Sequence, residues 1–182
     1  MQQLLKWTLN TIRADESSFS WMEEYRYDWT PLIKSAVSQS IEGKTALIIT
    51  DEAHHWFAKY VINSINDIEK DRPFLPFFSL IDTFPHLHNL KTSQDLQRLE
   101  DMLDISFPNG YYIWYIGNGN HLYSKLAYRN DDNFLWIIDK KIQNSFSFRS
   151  MDKLLDIKLI QLFKLFEKTL MANMFGQVDL ED

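Results

Sequence analysis

The sequence contains no cysteine. Disulfides, thiol nucleophiles and thiolate metal sites therefore lie outside its chemistry. Glycine and proline number only five each in 182 residues, which leaves little material for long disordered linkers. Long hydrophobic runs are missing as well. Stretches such as Ala46–Ile49 and Phe134–Ile138 are far too short to span a bilayer, so no membrane association is expected. Residues Met1–Asp15 mix polar and apolar side chains and do not read as a signal peptide, so the cytoplasm is the expected location. Basic clusters are also lacking. Lys and Arg are scattered, with no cluster longer than Lys140-Lys141, and the formal net charge is −6. Phosphate contacts dominate nucleic-acid affinity, so direct DNA or RNA binding is not expected.

The rest of the composition is that of a globular protein. Apolar residues make up 45% and charged residues 24%, and the length suits one domain over residues 1–182. Aromatic residues reach 15%, a surplus that suits a protein–protein interface as well as a core.

Periodicity divides the chain into alternating elements. Leu4, Leu5, Trp7, Leu9 and Ile12 form one broad apolar face of an N-terminal helix. Ser17-Ser18 can cap a second helix from Phe19 to about Asp28. Thr30-Pro31 then places a cap before a proline at the first helical position, and a further helix runs to Gly43. Thr45–Thr50 is short, β-branched and apolar, which suits a strand buried on both faces. Asp51 follows it and can cap a helix through Trp56, Val61 and Ile65. A second strand fits Phe74–Ile81, with Pro76 awkward inside it. A helix over Ser93–Asp104, a strand over Tyr111–Ile116 and a short helix over Asn120–Tyr128 come next. Strands over Phe134–Ile138 and Ser145–Phe148 follow, and a long helix over Met151–Phe175 closes the pattern. Strands that alternate with helices imply an α/β fold. The expected architecture is a three-layer αβα sandwich of the Rossmann or flavodoxin type. It has a mostly parallel sheet of about five strands and a helical N-terminal segment.

A search for chemistry yields little. In such folds ligands bind beyond the carboxyl ends of the strands, and phosphate binders place glycines there. The first such loop is Thr50-Asp51-Glu52-Ala53-His54-His55. It has no glycine and sets two carboxylates where a phosphate would sit. Gly117-Asn-Gly119 reads as a turn. His54-His55 and His86-x-His88 lack the three- or four-residue spacing of helical metal ligands, so no metal is expected. A Gly-x-Ser-x-Gly elbow is absent. The residues therefore point to no active site and no cofactor.

The last helix is more informative. Leu155, Leu159, Leu162, Phe163, Phe166 and Leu170 form an apolar stripe roughly 100° wide. Leu154, Ile157, Ile160, Leu165, Met171 and Phe175 interrupt the polar side. Either the N-terminal helices cover them or a second subunit does. Trp21, Tyr25, Tyr27 and Trp29, interleaved with Glu23, Glu24 and Asp28, form a second aromatic concentration. It is either packed within the chain or offered to a basic partner.

Four stretches together resemble the HobA family, bacterial proteins that associate with the replication initiator DnaA. They are Thr45–Ile65 with His55-Trp56-Phe57, Arg72-Pro73 before Leu80-Ile81-Asp82, Phe134-Leu-Trp136, and the run Leu154–Glu167. The resemblance covers most of the chain outside Phe84–Pro108 and the tail after Gly176. It implies a fold similar to sugar-isomerase (SIS) domains without their phosphosugar loop, and a homotetramer. It implies a non-enzymatic adaptor that binds the DnaA N-terminal domain and promotes its oligomeric assembly at the chromosomal origin. Met174-Phe175 resembles an apolar–aromatic pair that serves DnaA binding in the functional relative DiaA. On this reading Trp21, Tyr25, Tyr27, Met174 and Phe175 are the candidate partner contacts. Ile157, Ile160 and Leu165 are the candidates for self-association. The alternative is a phosphosugar-binding or isomerase domain on the same fold.

Overall fold

The structure is a computed structural model that describes residues 1–15 and 19–180. In chain order the elements are α1 (Gln2–Ala14), α2 (Met22–Ile41), β1 (Thr45–Thr50), α3 (His55–Ile65), β2 (Phe77–Ser79), α4 (Leu80–Thr83), α5 (Ser93–Ser106), β3 (Tyr111–Asn118), α6 (Leu122–Arg129), β4 (Asn133–Ile138), β5 (Ser145–Phe148) and α7 (Leu155–Met174). They fall into two compact units. One combines residues 1–42 with the chain from Phe148 onward, and the other is Gly43–Ser147.

The central unit is built on the sheet. Strand order is β2-β1-β3-β4-β5, and the β1–β2, β1–β3 and β3–β4 pairs are parallel. Successive side chains on a strand point to opposite faces, so each apolar run supplies two buried layers. On one face Leu47, Ile49, Ile113, Tyr115, Leu135 and Ile137 join Leu96, Leu99 and Leu103 of α5 and Leu126 of α6 in one cluster. The opposite face is aromatic. Trp114 and Trp136 lie with ring centroids 5.1 Å apart, Phe134 is 5.1 Å from Trp114, and Phe57 of α3 closes on Trp136 at 5.7 Å. Helices thus cover both faces of the sheet, as the solid apolar strands required. Helix α5 starts at a capping box, with Thr92 and Asp95 each accepting the other's backbone N–H.

The helical unit packs α1 against α2 and α7, and α2 against α7. Helix α1 buries a narrower face than its apolar residues suggest. Leu4, Thr8 and Ile12 are buried, while Leu5, Trp7 and Leu9 are only half-buried. The proposed Ser17-Ser18 cap lies outside the described residues.

The boundaries of α2 and β2 differ most from the sequence expectation. Helix α2 does not break at Thr30-Pro31 but runs straight through it. An interior proline costs about 3 kcal/mol. Trp29 and Ile33, on either side of it, are fully buried, and each such burial contributes about 1.5–3 kcal/mol, which outweighs the cost. Strand β2 is also shorter than Phe74–Ile81. Residue 75 is held outside the ladder by Asn66, whose side-chain oxygen accepts the Leu75 N–H at 2.8 Å and whose amide donates to the Leu75 carbonyl at 2.9 Å. At the other end the Ser79 hydroxyl accepts the Asp82 N–H and caps α4, so Leu80 and Ile81 turn helical.

Candidate functional site

The candidate contacts on the helical unit do not form one patch. Trp21 stands at the start of α2, with Phe19 and Tyr25 rings each 6.0 Å away. Its indole N–H donates to Gln161 Oε1 at 2.9 Å, and the Lys158 ammonium lies 4.8 Å over its ring. Lys158 is itself paired with Asp152 at 2.6 Å. Trp21 is therefore clamped to α7, a seam residue with Tyr25 presented beside it at 47% exposure. Tyr27, two residues further on, faces another side of the helix. There the Arg26 guanidinium covers its ring at 4.2 Å and donates to its hydroxyl at 2.7 Å.

On α7, Ile157 is exposed and Ile160 is half-buried. Leu165 requires a correction. It is 1% exposed, so it belongs to the core and offers nothing to a second chain. Helix α7 packs against both α1 and α2, and Leu165, Thr169 and Ala172 widen its buried arc well beyond the expected 100° stripe. Ile157 and Phe175 are eighteen residues apart, five turns at 3.6 residues per turn, so they lie on one line along the helix, about 27 Å from end to end. Trp21–Tyr25 and Met174–Phe175 accordingly sit near opposite ends of α7.

The C-terminal end of α7 is firmly built. Phe175 is the C-cap residue and 64% exposed, while Met174 is half-buried. Gly176 follows at φ 69°, the left-handed conformation that ends helices, and its N–H donates to the Asn173 carbonyl. The chain then folds back. Gln177 N–H reaches the Ala172 carbonyl at 2.7 Å, Asn173 holds the Val178 carbonyl at 2.9 Å, and Val178 and Leu180 are buried. The alternation Val178-x-Leu180 was the available signal for this anchor, although two apolar residues are too few to identify it from sequence.

The central unit carries a second polar cluster. The chain leaves β1 for β2 on one side and returns to β3 on the other, so strand order reverses at the carboxyl ends of β1 and β3. Asp51 sits there, 6% exposed. Its Oδ1 accepts the His54 N–H at 3.1 Å and meets His54 Nδ1 at 2.5 Å, while its Oδ2 accepts the Asn118 N–H at 2.7 Å. Glu52 meets His121 Nε2 at 3.2 Å, and His121 Nδ1 accepts the Tyr123 N–H that opens α6. The Tyr115 hydroxyl donates to the Asn118 carbonyl at 2.7 Å. Gly117 lies inside β3 rather than in a turn. His55 turns to a different carboxylate, with Nε2 3.6 Å from Asp82.

Burial alone would raise the Asp51 carboxyl. The hydrogen bonds from the His54 ring and the Asn118 backbone, together with the charge and backbone N–H of His54, bring it below its ordinary value. A carboxyl depressed on folding contributes stability that is present above its unfolded pKa of about 3.9 and lost as pH falls through the lower folded value. The melting temperature should therefore drop below about pH 4, and Asp51→Asn should flatten part of that drop. An acid limb of unchanged steepness in the variant would assign the loss to other carboxylates.

Against known proteins, the HobA sequence profile, described as a DNA replication regulator, matches residues 1–180. The chain belongs to the HobA family. The DNA replication regulator protein HobA of Helicobacter pylori is 27% identical over 186 residues, covering 99% of this chain and all of the relative. Two solved structures from the same organism share the fold. HobA alone superposes with a TM-score of 0.75 at 22% identity, and HobA in complex with DnaA (domain I-II) with a TM-score of 0.74 at 23% identity. Each comparison covers 98% of this chain and 99% of the other. The family's α/β architecture thus extends over the whole described chain. No helix among the described residues is long and apolar enough to cross a membrane.

Proposed function

We propose that this chain is a non-enzymatic adaptor in replication initiation that binds the N-terminal domain of DnaA and promotes its assembly at the chromosomal origin. The observation that carries this reading is the full-length family match, together with a family relative crystallised on DnaA (domain I-II). The protein works in the cytoplasm as a homotetramer and does not contact DNA itself. Four copies of one surface tether several initiators close together, which raises their effective concentration without any catalytic step. Phe175, with Met174 behind it, is the principal contact, and Trp21, Tyr25 and Tyr27 supply secondary ones. The phosphosugar alternative loses support because the Asp51 carboxylate stands where a phosphate would bind.

Size-exclusion chromatography with light scattering, run with and without DnaA domains I and II from the same organism, tests the reading. A tetramer that shifts to a larger complex supports it. Separate elution at tens of micromolar overturns it. Ile157 and Ile160 are the proposed self-association residues. Ile160→Asp should reduce the mass in solution below four chains, because it sets a carboxylate in an apolar contact. A tetramer of unchanged mass would remove Ile160 from the interface.

A further inference from the structure

We propose that the crevice at the carboxyl ends of β1 and β3 is an anion cradle whose permanent occupant is the chain's own Asp51 carboxylate. In doubly wound sheets the reversal of strand order opens a crevice, and backbone N–H groups at the start of the next helix make it attractive to anions. Those donors are present here. The His54 N–H at the entry to α3 and the Asn118 N–H at the end of β3 converge on Asp51 at 3.1 and 2.7 Å, and the His54 ring adds a contact at 2.5 Å. The donors come from two loops separated by 64 residues of chain and meet on one buried carboxylate.

Gly117 is the independent observation. A Cβ at that position would lie 2.7 Å from Asp51 Oδ2, 2.8 Å from its Cγ and 2.9 Å from the Tyr115 hydroxyl. The carboxylate therefore fills space that any other residue at 117 would claim. Supplying the anion from within staples the β1–α3 loop to the β3–α6 loop, so neither loop depends on a ligand for its order.

Chemical rescue is the test. Asp51→Gly removes the occupant and leaves the donors. Formate, which reproduces the missing carboxylate, should raise the melting temperature of this variant by about 3 to 6 °C at ten times its dissociation constant. The unaltered chain and Asp51→Asn, whose cradles remain filled, should not respond to formate beyond a chloride control. A response confined to Asp51→Gly supports the cradle, and adding inorganic phosphate in place of formate shows whether it also takes a tetrahedral anion. No response, or the same response in all three proteins, overturns it. Should Asp51→Gly fail to fold, amide hydrogen exchange at Asn118 decides the matter. The Asn118 N–H should exchange at least about tenfold faster in Asp51→Asn, because a charge-assisted bond is roughly twice as strong as a neutral one. Equal protection in the two proteins refutes the assignment.

Discussion

Replacing Trp136 with alanine should destabilise the protein by about 3–5 kcal/mol, the usual cost of deleting a large aromatic from a packed core. Trp136 is fully buried and touches three other rings, with centroids 5.1 Å away for Trp114, 5.5 Å for Phe134 and 5.7 Å for Phe57. Two of those neighbours are also sheet residues held in register by the β3–β4 pairing, and they cannot collapse inward without breaking the ladder. The cavity should therefore persist, and the cost should fall toward the upper end of the range. Domains of this kind are stable by about 5–15 kcal/mol in total, so a single change would remove a large share. Denaturant unfolding followed by circular dichroism reads the effect directly, as a lower midpoint with an unchanged slope. A loss below about 1 kcal/mol would mean that the aromatic layer is not packed as described.

Replacing Phe175 with alanine should have the opposite signature. Its ring is mostly exposed, so the melting temperature should stay within about a degree or two of the original. Binding to DnaA domains I and II should weaken by about thirtyfold or more, the loss expected when an interface anchor worth at least about 2 kcal/mol is truncated. Isothermal titration calorimetry measures this, with Tyr27→Ala as the comparison. Tyr27 is about equally exposed, but its ring is already engaged by the Arg26 guanidinium, so its loss should cost less. Wild-type affinity in Phe175→Ala would move the contact elsewhere on the chain. The same result with intact binding in the unaltered protein would leave the adaptor role standing.

The strands were the most legible part of the fold. Thr45–Thr50 and Ser145–Phe148 occur as expected, and Phe134–Ile138 gains only Asn133, because a short apolar run bounded by polar residues has few other uses. Elements whose limits depend on a single side chain were harder to read. Asn66 and Ser79 cut β2 to three residues, and neither residue looks unusual in the sequence. Pro31 signalled a helix start, but the burial of residues around it overrode the signal. Long-range partners were the least legible. Asp51 could be recognised as a cap from its position after β1, and its His54 contact is local. Its bond to Asn118 depends on β1 and β3 lying side by side, which sequence periodicity does not specify. Leu165 was misplaced for a related reason. A helical wheel describes one helix, whereas the buried arc of α7 is set by two neighbours.

With Phe175 as the proposed contact, the fold-back after Gly176 has a consequence for how quickly a partner would be captured. Phe175 is fixed between a completed helix and a buried Val178–Leu180 anchor. Most of the freedom a loose tail would surrender on docking has therefore already been given up during folding. A partner meets a ring that is ready to be engaged, and encounter does not have to wait for a segment to order itself. Association at this end of α7 should then proceed at the ordinary pace of two rigid surfaces finding their mutual orientation.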